Sequence, residues 1–339
     1  MIQTKRWNLQ HDQVNNEQAI QEAAHLLMDG SLVAFPTETV YGLGADATNE
    51  TAVHKIFQAK GRPQDNPLIA HVATKCNLRA LVTEMPPFVE DLIDNFSPGP
   101  ITYVLPSNGS CAYNVTAGLS TVAVRIPHHS VALQLLKACD RPIAAPSANI
   151  SGKPSPTTAD HVWEDFEGKI AGILDGGPTG VGMESTVIDC TKEQPIILRP
   201  GGVTKEAIER VVGFPVDNAQ DIQPSTPASP GMKYKHYSPD VPLWLVNGSS
   251  EDIQSIIESE QRQGKRVGVM ARDDILSRIS ADQKVPLGQD MTHVATQLYD
   301  ALRSFKKARV DLIICETFPE VGIGQAVMNR LRKAASLYR

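Results

Sequence analysis

Short apolar runs alternate with helical patterns along most of this 339-residue chain, and one proline-rich stretch interrupts the alternation. A helical pattern from Glu17 to Met28 precedes the apolar run Leu32 to Phe35, and similar pairs recur as far as residue 212. Chains with this alternation fold as helices packed on a β-sheet. Several predicted strands follow one another without a helix between them, so we expect a twisted α/β sheet with both parallel and antiparallel neighbours.

A smaller α/β domain is predicted after the interruption. The apolar runs LWLV, RVGVM and DLIIC alternate with helical patterns at 250–262, 291–308 and 324–337, which is typical of a small parallel sheet of the Rossmann-like type. Residues 217–242 lack this periodicity and contain five prolines, as semi-rigid connectors do. We therefore predict a first domain over residues 1–216, a linker over 217–242 and a second domain over 243–339.

Charge and composition limit the classes of function. Hydrophobic residues make up 41% of the chain and charged residues 21%, a balance typical of folded domains. The net charge of −6 divides into −8 for residues 1–240 and +2 for residues 241–339. Because the first part is acidic, broad attraction to nucleic acid is disfavoured, and any polyanion must bind at a local basic cluster.

The sequence predicts a cytoplasmic protein that does not enter a membrane. Its first residues, MIQTKRWNLQ, lack the apolar run of a signal peptide, and no stretch reaches the ~18 apolar residues that cross a bilayer. The five cysteines are scattered without C-x-x-C spacing, which argues against a disulfide framework or a zinc site.

Polar segments at the predicted strand ends are candidates for binding a ligand. The segment PTETVYGLGADA, residues 36–47, combines hydroxyls, a carboxylate and two glycines, although an ordinary polar turn has the same composition. Farther on, Lys60 and Arg62 end a helical pattern, where they either complement the helix dipole or grip a phosphate chain. The loop APSANISGKPSPTT offers hydroxyl, amide and backbone donors that suit a nucleotide.

Arg125 lies inside the otherwise apolar strand TVAVRI and needs a negatively charged partner to offset its desolvation. A ligand carboxylate or phosphate would supply that partner, and so would a structural salt bridge to an aspartate or glutamate. Ser185 enters a later predicted strand, and Arg199 ends another. The sequence has no Walker A loop, G-x-S-x-G elbow, H-E-x-x-H helix or kinase signature, which excludes those enzyme classes.

Six motifs occur in a fixed order along residues 17–212: PTETVYGLG, KGRPQDNPL, VAVRIP, PSANISGKPSPT, ESTV and RPG. Each is unspecific alone, but in this combination they closely resemble the YrdC-like family, and in particular its threonylcarbamoyl-AMP synthases. The second domain and the linker segment SPGMKYKHYSP resemble the two-domain form of that family.

The resemblance implies a nucleotidyltransferase reaction. L-threonine, bicarbonate or CO2, and ATP would give L-threonylcarbamoyladenylate and pyrophosphate, for threonylcarbamoyladenosine modification of tRNA. A carbamate oxygen would attack the α-phosphorus, a step that depends on positioning and charge neutralisation more than on a protein nucleophile. Mg²⁺ would arrive on the ATP phosphates without a direct protein ligand. Hand-off of the product to a tRNA-modifying complex is one option.

The resemblance also assigns residues of this chain to a site. The family's signature pair falls on Lys60 and Arg62 together with Ser147 and Asn149, which we take as the catalytic set. Its threonine-binding positions fall on Thr39, His71, Arg125, Ala145 and Ser185, with Arg125 suited to the substrate carboxylate. Its nucleotide-binding positions fall on Arg62, Asn66, Thr121, Ser147, Ser155 and Arg199, to which we add His236 and Tyr237 from the linker.

The linker segment over residues 229–239 is either an exposed spacer or a lid. Two prolines bracket it, and between them Lys233, Lys235 and His236 add positive charge while two tyrosines add rings that a spacer does not need. We expect a lid that folds over the pocket of the first domain, contacts ATP and shields the mixed anhydride from water.

Two other functions fit part of the sequence. An RNA-binding module of the same fold, for tRNA or ribosomal RNA, would use the basic cluster to hold nucleic acid instead of ATP. An adenylating enzyme for another amino acid or carbamoyl donor would share the site, because a pocket discriminates poorly against near-isosteres. Pyrophosphate release that requires threonine and bicarbonate together would separate the synthase from both.

Overall fold

A computed structural model describes residues 2–9, 13–219, 237–306 and 308–339 of the chain. Contacts divide the chain into two compact units. The first unit comprises Met1–Ser151, Pro156–Gly180 and Glu184–Lys233, and the second comprises Gly152–Ser155, Val181–Met183 and Tyr234–Arg339. Two short segments from the predicted first domain therefore pack with the second unit. The linker boundaries at 217 and 242 stay a prediction.

The first unit is a mixed sheet with helices, as expected. Its described strands are β1 (Lys5–Asn8), β2 (Val33–Phe35), β3 (Gly42–Asp46), β4 (Ile69–His71), β5 (Ile101–Pro106), β6 (Thr121–Arg125), β7 (Ile143–Ala144), β8 (Gly172–Asp175), β9 (Thr186–Asp189), β10 (Ile196–Arg199) and β11 (Asp217–Asn218). They lie in the order β1-β8-β2-β3-β7-β4-β6-β5-β9-β10-β11, with parallel and antiparallel pairs. The last strand, β11, extends the sheet into the stretch where the apolar pattern stops.

Helices cover this sheet on both faces. They are α1 (Gln13–Met28), α2 (Glu50–Lys60), α3 (Lys75–Arg79), α4 (Pro87–Phe96), α5 (Tyr113–Thr116), α6 (Ser130–Cys139), α7 (Ala159–Phe166) and α8 (Lys205–Val212). Alternate residues of β2 point to opposite faces: Ala34 packs in a core with α2 and α7, whereas Val33 and Phe35 pack with α1 and α6. The sheet is therefore buried on both sides, and its strand ends carry the polar loops.

The ends of α2 place two candidate residues. The Asn49 side chain caps the helix by accepting a hydrogen bond from the Ala52 amide at 3.1 Å. Gly61 ends it with φ 61°, a left-handed conformation that glycine adopts without strain. The helix thus ends with Lys60 buried at 2% exposure, and the chain turns at once into Arg62.

An ordinary polar turn over residues 36–47, one of the two interpretations of this segment, is wrong for its second half. Gly42–Asp46 forms β3, which pairs antiparallel with β2. Gly44 allows this close pairing, because a Cβ atom there would lie 3.0 Å from a ring carbon of Phe35 and 3.0 Å from a methyl group of Ile143. A strand with two glycines has low β-propensity, so its sequence resembles a turn.

The second unit contains the expected parallel sheet. Its described strands are β12 (Leu243–Val246), β13 (Val267–Ala271), β14 (Gln283–Pro286), β15 (Leu312–Glu316) and β16 (Leu337–Tyr338), and its helices are α9 (Ser250–Arg262), α10 (Asp273–Leu276), α11 (Met291–Ser304) and α12 (Ile323–Ala334). All the strand pairs are parallel, in the order β14-β13-β15-β12-β16, so β15 is central.

Two helices of this unit end earlier than the sequence predicted. The helix predicted to end at residue 308 ends at Ser304, and the one predicted to end at 337 ends at Ala334. Ser336 donates from its amide and its hydroxyl to the Leu243 carbonyl, at 2.8 and 3.0 Å, and so begins the pairing of β16 instead. None of the helices in the described part of the chain is long and apolar enough to cross a membrane.

Candidate functional site

Arg125 is the buried cation at the centre of the predicted threonine site. It ends β6 with a side chain only 5% exposed. Its Nη1 donates to Thr39 Oγ1 at 2.9 Å, and its Nε donates to the Gly99 carbonyl at 3.4 Å. The remaining nitrogen, Nη2, lies 2.7 Å from Glu38 Oε1. A salt bridge to a glutamate, one of the two alternatives left open by the sequence, is therefore present.

The contact between Glu38 and Arg125 is short but is not a hydrogen bond. Arg125 Nη2 and both Glu38 carboxylate oxygens are buried, and none of these atoms has a hydrogen-bond partner among the described residues. Charge attraction depends on distance, whereas a hydrogen bond also depends on direction. Because buried polar groups in folded proteins are normally hydrogen bonded, this pair retains capacity for a ligand.

His71 is a buried neutral neighbour of Arg125. It lies directly opposite Arg125 in the β4–β6 ladder, and its Nδ1 is 3.2 Å from the Ile69 carbonyl. Burial, followed by the positive charge of Arg125, lowers the pKa of His71 to about 3. The ring of Phe35 packs edge-on against the imidazole, with centroids 6.1 Å apart. His71 can therefore contact a ligand near neutral pH without adding a charge.

Two further threonine candidates lie next to strand ends, Ala145 directly after β7 and Ser185 directly before β9. The Ala145 amide donates to the Ile69 carbonyl at 3.0 Å, and Ser185 Oγ lies 2.8 Å from Thr102 Oγ1. Arg199 donates to the Ser185 carbonyl from Nε and Nη2, at 3.2 and 3.0 Å, and to Ser185 Oγ at 3.2 Å. Ser185, predicted for threonine, and Arg199, predicted for the nucleotide, are thus in direct contact.

Three residues of the predicted catalytic set, Lys60, Ser147 and Asn149, are in direct contact. Lys60 Nζ donates to the carbonyl oxygens of Ser147 and Asn149. Ser147 Oγ donates to Asn149 Oδ1 at 2.6 Å. Backbone oxygens thus hold the lysine cation, and the lysine in turn fixes the loop that presents the serine hydroxyl and the asparagine amide.

Three further nucleotide candidates, Arg62, Asn66 and Thr121, lie in the first unit. Arg62 Nη2 donates to the carbonyls of Asn66 and Pro67, at 3.3 and 3.2 Å. Asn66 is buried, and its Oδ1 has no hydrogen-bond partner in the described part of the chain. Thr121 begins β6 and Arg125 ends it, so their Cα atoms are about 13 Å apart at the usual rise of a strand. One strand therefore carries a candidate from each predicted subsite.

The other nucleotide candidates belong to the second unit. Ser155 is fully buried, and Tyr237 is 5% exposed with φ 62°. The Tyr237 ring stacks on Tyr299, with centroids 5.3 Å apart, and the Arg330 guanidinium lies 5.7 Å from its centroid. His236 lies outside the described residues, as does the predicted lid except for residues 237–239. Assignment of these residues to ATP stays a prediction.

Arg303 holds the short segment that carries Ser155. Its Nε and Nη2 donate to the Pro154 carbonyl, at 3.1 and 2.7 Å. The Ser238 amide donates to the Gly152 carbonyl at 2.9 Å. Helix α11 and the chain after Tyr237 thus fix both ends of Gly152–Ser155. Sequence patterns did not single out Arg303, because its contact joins residues far apart in the chain.

Sequence patterns also did not single out Glu38. The available signal was the carboxylate in PTETVYGLG, beside Thr39 in a segment that follows a buried strand. Within the described ranges, no three or more His, Cys, Asp or Glu side chains are grouped to hold a metal ion.

Comparison with known proteins identifies the family. The family model described as "Telomere recombination" matches residues 25–201, and the model described as "Threonylcarbamoyl-AMP synthase, C-terminal domain" matches residues 203–336. The threonylcarbamoyl-AMP synthase of Bacillus subtilis is 51% identical over 340 residues, and the match covers 98% of each chain. The chain belongs to the threonylcarbamoyl-AMP synthase family.

Further members of the threonylcarbamoyl-AMP synthase family agree with this assignment. The synthase of Pyrococcus abyssi is 48% identical over 327 residues, which cover 94% of each chain. The crystal structure of P. abyssi Sua5 complexed with L-threonine matches with a TM-score of 0.90 at 45% identity, covering 100% of this chain and 99% of that chain. The family expected from the six motifs and the α/β fold expected from the apolar pattern are both confirmed.

Proposed function

We propose that the chain is a nucleotidyltransferase that converts L-threonine, bicarbonate or CO2, and ATP into L-threonylcarbamoyladenylate and pyrophosphate. The product would supply the threonylcarbamoyl group for modification of tRNA. The observation that carries the proposal is the buried Arg125, whose Nη2 has no hydrogen-bond partner in the described ranges and which lies beside Thr39 and neutral His71. A cation so placed suits the carboxylate of an amino acid, and P. abyssi Sua5 has been crystallised with L-threonine.

The nucleotide half of the reaction would depend on three buried or half-buried cations. Lys60 ends helix α2, Arg62 follows that helix and Arg199 ends strand β10, and there they can neutralise charge on a triphosphate. Mg²⁺ enters as part of the MgATP substrate. Lys60 also fixes Ser147 and Asn149, whose hydroxyl and amide would orient the α-phosphate for attack by the carbamate oxygen.

The test is a pyrophosphate assay on the full chain with product analysis by mass spectrometry. Pyrophosphate should appear only when L-threonine and bicarbonate are both present, together with a product of the mass of threonylcarbamoyladenylate. Release that does not depend on threonine would overturn the proposal. If it came with tight, salt-sensitive retention of tRNA or ribosomal RNA, an RNA-binding module would be favoured instead. Release with another amino acid would indicate a different adenylating enzyme.

A pair of lysine variants in helix α2 tests the proposed role of Lys60. Lys60→Met should lower turnover about 100-fold or more, because one buried charge and the support of the 147–149 loop are lost together. Lys55→Met is the matched control, since Lys55 Nζ donates to the Gly30 carbonyl at 2.7 Å. Its turnover should stay within about twofold of the parent, as for other surface changes. Equal losses in both variants would contradict a specific role.

A further inference from the structure

We propose that Glu38 binds the α-ammonium group of the amino-acid substrate while Arg125 binds its α-carboxylate. The proposal rests on the proposed function and deepens it, because it says how the site distinguishes a free α-amino acid from other small carboxylic acids. Glu38 lies in the loop between β2 and β3, next to Thr39, and its side chain is 11% exposed.

The first observation is the lack of hydrogen bonds to the Glu38 carboxylate. Both of its oxygens are buried, and neither has a hydrogen-bond partner among the residues that the structure describes. Removing a carboxylate from water without replacing its hydrogen bonds is costly. A carboxylate that serves only the fold would be expected to accept bonds from nearby amides or hydroxyls. Glu38 therefore has acceptor capacity that a hydrogen-bond donor on a ligand could use.

The second observation is the position of the adjacent cation. Arg125 Nη2 lies 2.7 Å from Glu38 Oε1 and also lacks a hydrogen-bond partner in the described part of the chain. The site therefore presents one positive and one negative group side by side, paired by charge but with no hydrogen bond at Nη2 or at either carboxylate oxygen. An α-amino acid carries an ammonium and a carboxylate on the same carbon, with the complementary charges at similar spacing. It can satisfy both groups at once, which a simple anion or cation cannot.

The orientation of the guanidinium supports this division of roles. Thr39 and Gly99 accept hydrogen bonds from Nη1 and Nε and so fix the plane of the Arg125 side chain. Because the guanidinium is rigid, these contacts also fix Nη2. A substrate carboxylate would bind at this fixed nitrogen, and Glu38 would turn from Arg125 to the ammonium.

A third unsatisfied group lies nearby. His129 Nδ1 is buried and has no hydrogen-bond partner in the described ranges, and the negative charge of Glu38 acts to raise the pKa of His129 against the larger effect of burial, which lowers it. Opposite Arg125, His71 is neutral near pH 7. The polar groups around the pair therefore add hydrogen-bonding capacity, while the charges that would meet a zwitterion come from Glu38 and Arg125.

The experiment combines one substitution with one change of ligand. Glu38→Gln keeps the size of the side chain and removes its charge. L-threonine is compared with its analogue 2,3-dihydroxybutyrate, in which a hydroxyl replaces the α-ammonium. Affinities of the full chain for both are measured by calorimetry, directly or in competition. The parent should prefer L-threonine, and E38Q should lose about 10- to 100-fold of its affinity for L-threonine, the range for a hydrogen bond to a charged group.

The affinity for the analogue should change by less than about threefold in the same variant, because the analogue has no ammonium to lose. Glu38→Asp keeps the carboxylate and should retain a preference for L-threonine. Equal changes for the two ligands, or no change for either, would overturn the proposal. So would equal binding of both ligands by the parent chain, a result that needs no variant to fold.

Failure of this proposal and failure of the proposed function give different results. If the parent releases pyrophosphate without a requirement for threonine, the proposed function is wrong. If the parent requires threonine and E38Q binds and turns it over like the parent, the function stands and the role of Glu38 is wrong. Thermal melting of each variant confirms that the compared chains are folded.

Discussion

Each unit of the molecule contains a buried glutamate that faces an arginine, and the two pairs are built differently. In the second unit, Glu316 Oε1 accepts a hydrogen bond from the Arg272 amide at 2.5 Å, and Oε2 accepts from Nε and Nη2 of the same residue at 3.4 and 3.3 Å. In the first unit, the charged groups of Glu38 and Arg125 approach to 2.7 Å, closer than the 3.3 Å between the charged groups of Glu316 and Arg272, but no hydrogen bond forms. Of these two contacts between charged side chains, the shorter one is the one without a hydrogen bond.

Hydrogen bonding, rather than distance, separates these two pairs. Glu316 accepts hydrogen bonds from Arg272, whose side chain is 36% exposed, so water can solvate the guanidinium as well. Both members of the Glu38 pair are nearly fully buried, where the cost of desolvation is recovered only if hydrogen bonds replace those of water. The fold tolerates such a pair where a ligand completes it. We therefore infer a structural pair in the second unit and a binding pair in the first.

Removing the arginine of each pair should give the largest contrast. Arg125→Met leaves Glu38 buried without a counter-charge and removes the proposed partner of the substrate carboxylate, so kcat/KM for threonine should fall about 100-fold or more. Arg272→Met should leave kcat/KM within about twofold and lower the melting temperature instead. Steady-state kinetics and thermal melting on both variants make the comparison. Similar kinetic losses would show that the two pairs do not differ in role.

Much of the fold could be predicted from apolar periodicity. Buried strands such as Leu312–Glu316 and helices such as Ser250–Arg262 have strong patterns, so their order predicted two α/β units. Several strands were not predicted, and two of them show why. Gly42–Asp46 depends on glycines that pack closely, and Lys5–Asn8 is an edge strand in which only Trp7 is buried. In both cases the strand depends on the neighbour it pairs with and not on its own propensity.

The site was predictable as a set of residues but not as a set of contacts. The six motifs predicted that Lys60 and Ser147 act together, yet the bond from Lys60 to two backbone oxygens depends on how the chain folds between them. The motifs also left two partners open for Arg125. Only packing shows that Glu38 is buried beside it, since the same carboxylate in a polar turn would be exposed.

The stability of the first unit should decrease in acid because of His71. Burial and the adjacent Arg125 lower the pKa of His71 from 6.5 to about 3, so the folded chain resists protonation that the unfolded chain accepts. Stability is then fully present above pH 6.5 and is lost as the pH falls toward 3, at no more than about 1.4 kcal/mol per pH unit. Denaturant unfolding between pH 7 and pH 5 measures this loss.

His71→Gln isolates the contribution of this histidine. The variant has no imidazole to protonate, so its free energy of unfolding should fall less steeply with acid than that of the parent. His128→Gln is a matched control from an exposed position. It should keep the slope of the parent. An unchanged slope in the His71 variant would mean that the imidazole beside Arg125 is protonated as readily in the folded chain as in the unfolded one.

The smallest expected effect concerns Glu316 and has the opposite dependence on pH. Burial raises the pKa of Glu316 above 4.5, although hydrogen bonds and charge from Arg272 act to lower it. The folded chain then holds this proton more tightly than the unfolded chain, so the carboxyl group lowers stability as the pH rises from 4.5 through the raised pKa. Glu316→Gln should lack that decrease, differ from the parent by no more than about 1 kcal/mol at pH 7, and bind threonine normally. Denaturant unfolding of both chains from pH 4 to pH 8 gives the two slopes. If the parent instead gains stability relative to the variant as the pH rises, the folded chain favours the charged form of Glu316. The prediction from burial would then be wrong, and the Arg272 contact would stabilise the Glu316 carboxylate by more than burial destabilises it.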